Sequence, residues 1–204
     1  MDQRAHWETI HREKAADAVS WYRPHLDVSL QLIEELASER TAAILDVGAG
    51  QSTLVDDLVH RGYEDITVLD IAASAIDACK TRLGKRAATV RWVTGDVTRV
   101  ELKPAAYDVW HDRAVFHFLT NAENRSAYVG QLMRALKPGG HVIVATFAKD
   151  GPAQCSGLHV VRYDTAALEK EFGAAFRLVK TMEENHPTPF GTVQPFFYGC
   201  FRMQ

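Results

Sequence analysis

Three stretches of this sequence put residues with useful chemistry at the ends of apolar runs. The first is Leu45-Asp46-Val47-Gly48-Ala49-Gly50, where a β-prone run meets two glycines. Glycines at such a point allow a sharp turn and let the backbone come close to a ligand. The second is Asp70, which follows the run Asp65-Ile66-Thr67-Val68-Leu69 and lies 20 residues beyond Gly50. A carboxylate there can accept from both hydroxyls of a ribose, and its charge repels a 2′-phosphate. The third is Gly95-Asp96-Val97, just after Thr89-Val90-Arg91-Trp92-Val93. Each aspartate alone could also be a turn or helix cap. Three in register point to one ligand crevice outside the carboxyl ends of neighbouring strands. The run after Gly50 is Gln51-Ser52-Thr53, so the third glycine of a dinucleotide fingerprint is missing, which counts against a nicotinamide cofactor.

The acid–base candidates are His111 and Asp112, which close the run Tyr107-Asp108-Val109-Trp110, and His117 in the segment that follows. His117 reads as a general base or as a packing histidine. Arg113 could hold an anionic substrate or pair with a carboxylate. Cys155 lies within Gly151-Pro152-Ala153-Gln154-Cys155-Ser156-Gly157, a loop of the kind that carries substrate contacts, and it reads as a thiol that meets substrate or as a passive loop residue. Nine histidines invite a metal reading, but no pair has ligand spacing, so no metal is expected.

The elements that must position these residues alternate. Leu26, Leu30, Ile33 and Ala37 recur at helical spacing and predict a helix over 26–39. Strands follow at 43–47, 65–69, 89–93, 107–111 and 141–147. Between them, Leu54, Leu58 and Val59 mark a helix stopped by Gly62. Ser74 is placed to cap a helix ended by Gly84, and Asn121 to cap one running to residue 135. This rhythm predicts an α/β fold, a parallel sheet with helices on both faces. The end departs from it. Asp164 caps a short helix, then two strands at 176–182 and 195–201 are joined without a helix and must pair antiparallel. Residues 1–25 read as a leader in which Trp21 and Tyr22 either cover the crevice or pack on the next helix.

The 204 residues suit one domain, and a 47% hydrophobic share permits a sizeable core. The net charge of −3 offers no basic field, so no nucleic-acid partner is expected. Three scattered cysteines give no disulfide framework and suggest a reducing, cytoplasmic setting. No secretory leader or membrane span is expected.

These motifs, in this order, resemble the class I S-adenosylmethionine-dependent methyltransferases from about residue 43 onward. Ile44-Leu45-Asp46-Val47-Gly48-Ala49-Gly50 is similar to the first motif, which wraps the methionine part of the cofactor. Asp70, with Ile71 after it, matches the ribose-binding acid, and Asp96 with Val97 the pair beside adenine. Val115-Phe116-His117-Phe118-Leu119 resembles the helix after the fourth strand, and Leu136-Lys137-Pro138-Gly139-Gly140 the turn before the fifth. Ser52 stands where many members have a third glycine.

The resemblance implies a Rossmann-like, doubly wound, mostly parallel seven-stranded sheet ending in an antiparallel hairpin, and S-adenosylmethionine as cofactor. It places Asp112 where its backbone touches the methionine moiety. Trp7 and Ser20-Trp21-Tyr22 are loosely similar to the leader of small methyltransferases acting on thiols, halides or purine thiols. The expected activity is methyl transfer to a small-molecule nucleophile. A protein-lysine methyltransferase, a non-catalytic cofactor-binding protein and a dehydrogenase are the alternatives.

Overall fold

The computed structural model describes residues 2–204. Asp2 opens helix α1 (Gln3–Glu13), its carboxylate accepting from the backbone N–H groups of Arg4 and Ala5, two of the donors a helix start leaves unpaired. The predicted leader is therefore largely helical, although no residue of α1 is fully buried. Helix α2 (Asp27–Leu36) buries Ser29, Leu30, Leu32 and Ile33, and ends earlier than the spacing predicts because Ala37 leaves helical geometry.

The alternating core follows as β1 (Ala43–Val47), α3 (Leu54–His60), β2 (Asp65–Asp70), α4 (Ala73–Leu83), β3 (Val90–Thr94), β4 (Tyr107–Arg113), α5 (Ala122–Ala135) and β5 (Leu136–Phe147). After β5 come a two-strand flap, β6 (Gln154–Cys155) with β7 (Leu158–His159), then α6 (Thr165–Phe172), β8 (Phe176–Pro187) and β9 (Val193–Met203). Asn121 and Asp164 cap α5 and α6 as predicted. Ser74 does not cap α4: the N-cap position is Ala72, which has no capping side chain, and the carboxylate of Glu8 on α1 takes that role.

The main sheet has seven strands in the order β3-β2-β1-β4-β5-β9-β8. The first five are parallel, while β9 runs antiparallel to both β5 and β8. This is the predicted sheet with its terminal hairpin. The strands' burial on both faces follows from their sequences: β1 sends Ile44 into one apolar cluster, with Val68, Val109 and Ile143, and Leu45 into the other, with Trp110, Val142 and Leu132.

Two local expectations are corrected. The stretch Leu136-Lys137-Pro138-Gly139-Gly140 lies inside β5 as an irregularity rather than before it. Tyr107 pairs with Leu136 and Val109 with His141, so the extra residues bulge out, with Gly139 at φ +78°. The segment after β4 is a single 3-10 turn, Phe116–Phe118, not a full helix. Strand order reverses between β1 and β4, and the crevice at such a reversal is where open α/β sheets bind ligands.

Candidate active site

Backbone hydrogen bonds set the turn after β1. The carbonyl of Leu69 accepts from the N–H groups of Gly48 (2.7 Å) and Ala49 (3.3 Å). The Asp70 carboxylate accepts from Gly50 N–H at 2.7 Å and from Ala72 N–H at 2.8 Å. Asp70 thus ties the ends of β1 and β2 together and keeps a face on the cavity. Burial pushes its carboxyl up to about 6 despite those two donors. Gly48 and Gly50 sit at φ +62° and +54°, a region that L side chains avoid. A Cβ on Gly48 would meet Val115 Cγ2 at 1.9 Å, so the wall of the site demands that glycine. A Cβ on Gly50 would stand 3.3 Å from His11 Cε1. At the end of β3, Asp96 accepts from the backbone N–H and hydroxyl of Thr98 through Oδ1.

Beneath the turn lies a buried polar chain. Asp46 Oδ1 is 2.7 Å from His111 Nδ1, and His111 Nε2 is 2.9 Å from Ser29 Oγ on α2. With Nδ1–H donating to the carboxylate, Nε2 is left to accept from the serine hydroxyl. Asp46 Oδ2 is buried and has no hydrogen-bond partner.

These groups open into one cavity of about 150 Å³. Gln3, Trp7 and His11 of α1, with Lys14 just after it, supply its outer wall. Trp7 stands edge-on to Trp21 and Phe118, with ring centroids 5.9 and 5.1 Å away. Two polar contacts hold α1 down. Glu8 accepts from the N–H groups of Ala73 (2.6 Å) and Ser74 (3.3 Å) at the start of α4, and Gln51 Nε2 donates to the carbonyl of His11. Burial lowers the His11 imidazole to about 4, so it is neutral at pH 7. Beyond the strand ends, Phe147, Phe196 and Cys155 form an apolar wall.

The structure brings most of the sequence-predicted residues together. Asp46, Gly48, Ala49, Gly50, Asp70, Ile71, Asp96, Val97, Trp21, Tyr22, Arg113 and Cys155 all line this cavity. Trp21 also packs against a core cluster.

Asp112 and His117 do not line the cavity. The Asp112 carboxylate turns inward, accepting from Val115 N–H, Phe116 N–H and the Tyr128 hydroxyl. His117 is fully buried, accepts from Phe147 N–H at 3.4 Å, and is pushed down to about 3 by burial. It therefore has neither the access nor the basicity that a general base needs. Arg113 is occupied: it donates to Tyr198 Oη and the Trp21 carbonyl, lies 3.7 Å from Glu184, and stacks on Phe196 at 4.3 Å. Burial pushes the Cys155 thiol up to about 11, which keeps it protonated and a poor nucleophile.

Sequence reasoning missed Ser29, Glu8, His11 and the link from His111 to Asp46. The one available signal was that Gln3, Trp7, His11 and Lys14 fall on one helical face. Among the described residues, no group of three or more His, Cys, Asp or Glu is placed to hold a metal ion, and no helix is long and apolar enough to cross a membrane.

Residues 44–140 match the family model described as "Methyltransferase domain". Over that stretch the resemblance read from the motifs is borne out. The chain is 24% identical over 150 residues to the eEF1A lysine and N-terminal methyltransferase of Mus musculus, a match covering 71% of this chain and 21% of that protein. It is 30% identical over 134 residues to nodulation protein S of Rhizobium tropici, covering 66% of this chain and 54% of that protein. The chain thus spans about a fifth and about half of these relatives. The crystal structure of the N-methyltransferase NodS from Bradyrhizobium japonicum, in complex with S-adenosylhomocysteine, superposes with a TM-score of 0.74 at 16% identity. That superposition covers 97% of this chain and 98% of that one and establishes a common fold.

Proposed function

We propose that this chain, whose residues 44–140 match the methyltransferase-domain family model, transfers a methyl group from S-adenosylmethionine to a small-molecule nucleophile. The observation that carries the reading is the convergence, in one cavity, of the glycine turn after β1, Asp70 after β2 and Asp96 after β3. Two features fit the cofactor. The unpartnered Asp46 Oδ2 awaits a donor, and the glycine at position 50 leaves open a space that a side chain would fill against His11.

Bound S-adenosylmethionine supplies an electrophilic methyl group on a sulfonium. The protein's own residues hold and shield. Asp70 is set to accept from ribose hydroxyls and Asp96, through Oδ2, from the adenine amine. The aromatic wall of Trp7, Trp21, Phe118, Phe147 and Phe196 excludes water from the side facing β4 and β5. Orientation alone contributes several kcal/mol to such a transfer, about 7–11 in the best cases.

Of the histidines considered for proton removal, His117 lies outside the cavity and His111 has both ring nitrogens engaged. His11 lines the cavity, but burial lowers it to about 4, so it lacks the basicity of a general base as His117 does, and the site suits a nucleophile that arrives already ionised. The α1 wall favours a small acceptor over a protein side chain. We assign the chain as one domain, with residues 1–25 as the cover and 26–204 as the core.

The test is incubation with methyl-labelled S-adenosylmethionine and panels of thiols, amines, hydroxy compounds and cell extract. Label appearing in a small molecule supports the reading. Label appearing only in protein overturns the small-molecule assignment, and no cofactor binding overturns the whole reading.

A further inference from the structure

We propose that His186 and Arg113 are positioning residues that clamp two consecutive leader carbonyls, those of Ser20 and Trp21, and so hold the Trp21 ring as a wall on the acceptor side of the cavity. The inference rests on the reading that the cavity takes S-adenosylmethionine with its acceptor beside β4 and β5.

The terminal hairpin reaches the leader through a buried cluster. His186 on β8 is 0% exposed, and its Nε2 lies 2.8 Å from the Ser20 carbonyl. Arg113, at the end of β4, donates from Nη1 to the Trp21 carbonyl at 3.3 Å and from Nη2 to His186 Nδ1 at 3.4 Å. A guanidinium only donates, so Nδ1 must accept. The ring proton is then left on Nε2, where it is donated to Ser20. The arginine thus sets the tautomer that the histidine needs. Burial and the neighbouring guanidinium lower the imidazole below its ordinary value, which keeps this neutral form at pH 7. Glu184, 3.7 Å away, balances the charge of Arg113 and itself accepts from the Tyr198 hydroxyl. Phe196 packs under the guanidinium and edge-on to the His186 ring.

Among the described residues, these two bonds are the ones that tie the backbone of residues 15–22 to the core. The N–H groups of Ala18 and Tyr22 donate within the segment, to Ala15 and Val19. Helix α1 is held elsewhere, by Glu8 at the start of α4 and by Gln51. In the strand order, Asp70 and Asp96 follow β2 and β3 on one side of the reversal, while the clamp belongs to β4 and β8 on the other. The leader is therefore fastened in two places, and the clamp governs the side away from the adenosine acids. There Ser20 stands beside the Cys155 thiol, and Trp21, Cys155 and Phe196 line the same cavity.

The test uses chymotrypsin and iodoacetamide on the full chain. Chymotrypsin cuts after Trp21 and Tyr22 in the clamped segment and after Trp7 in α1, and cutting of a transiently opened segment follows its open population. Iodoacetamide reports access to Cys155, while Cys79 and Cys200, both 0% exposed, are the buried controls. His186→Phe keeps a ring and loses the donor. It is expected to be cut about three- to tenfold faster after Trp21 and Tyr22, and alkylated faster at Cys155 by a similar factor, as one lost neutral hydrogen bond allows. Cutting after Trp7, and calorimetric affinity for S-adenosylhomocysteine, are expected to change by less than about twofold. His186→Gln, whose amide nitrogen reaches the place of Nε2, is expected to restore both rates. Thermal melts establish that each variant is folded.

Unchanged cutting after Trp21 and Tyr22 overturns the clamp, as does an equal acceleration after Trp7 or a failure of His186→Gln to restore either rate. Faster cutting with unchanged alkylation of Cys155 overturns the assignment to the acceptor side. If His186→Phe does not fold, His186→Asn, too short to reach the Ser20 carbonyl, is read by the same criteria. If the unaltered protein does not bind S-adenosylhomocysteine, the cofactor reading falls and the inference with it. Binding with unchanged cutting removes the clamp alone.

Discussion

Replacing Glu8 by alanine should undock α1. An isolated helix of 11 residues is marginal in water, and α1 has no fully buried residue to hold it. Its place depends on the Trp7 ring, the Gln51 bond and the Glu8 carboxylate. That carboxylate makes one short bond, 2.6 Å to Ala73 N–H, and one long bond, 3.3 Å to Ser74 N–H, at the positive end of α4. A hydrogen bond to a charged group contributes about 1.5–3 kcal/mol. The low end applies, because Glu8 is 19% exposed and the second bond is weak. A loss of about 1.5–2 kcal/mol shifts the docking equilibrium by roughly 10–30-fold.

The assay is trypsin cleavage at Arg4, Arg12 and Lys14, since cutting of a transiently opened segment follows its open population. Glu8→Ala should be cut about 10–30 times faster than the unaltered protein, Glu8→Gln by an intermediate factor, and S-adenosylhomocysteine should protect all three proteins. Hydrogen bonding from Ser74 and from the α4 backbone holds the Glu8 carboxyl below its ordinary value. The latch is therefore complete at neutral pH and is lost only as the pH falls through that lowered value. Cutting should not change between about pH 6 and 8 beyond the protease's own profile. Equal cleavage of Glu8→Ala and the unaltered protein refutes the latch.

Gly50→Val should abolish S-adenosylhomocysteine binding in calorimetry while the protein still melts cooperatively, because the branched side chain enters the cavity and meets His11. Normal binding would show that this turn does not face the ligand. Burial raises Asp70 from 3.8 to about 6, so the folded protein holds a proton there that the unfolded chain has released. The stability this confers is full below about pH 4 and is lost as the pH rises through about 6. Asp70→Asn should accordingly lose less melting temperature than the unaltered protein between those limits, while its affinity for S-adenosylhomocysteine falls at least about tenfold. Parallel melting curves, or unchanged affinity, would contradict the two halves of that expectation. Cys155→Ser should keep methyl transfer within a few-fold of the unaltered rate in the labelled assay, because the thiol is held protonated at about 11. Loss of turnover in a folded variant would restore the cysteine as a catalytic residue.

What the sequence made legible follows from how each contact is built. Gly48, Gly50, Asp70 and Asp96 act where strands end, and strand ends can be read from apolar runs and turn residues within a few positions. Parallel pairing then carries the three strand ends to one edge, whatever the side chains elsewhere do. Helix α1 escaped because its inner face is Gln3, Trp7 and His11. A search for apolar periodicity passes over a helix whose inward face is mostly polar and meets a cavity rather than the core. The histidines show the same limit from the other direction. His111 and His117 stand six residues apart, and the sequence favoured His117 as the base. A single 3-10 turn after β4 sends His117 into the core beside Phe147, while the strand itself points His111 at Asp46, 65 residues earlier, and Ser29, 82 residues earlier. No local pattern separates the two. The choice is made by the pairing of β1 with β4 and by α2 packing behind them, so the residue that organises the site becomes visible only once the strand order is known.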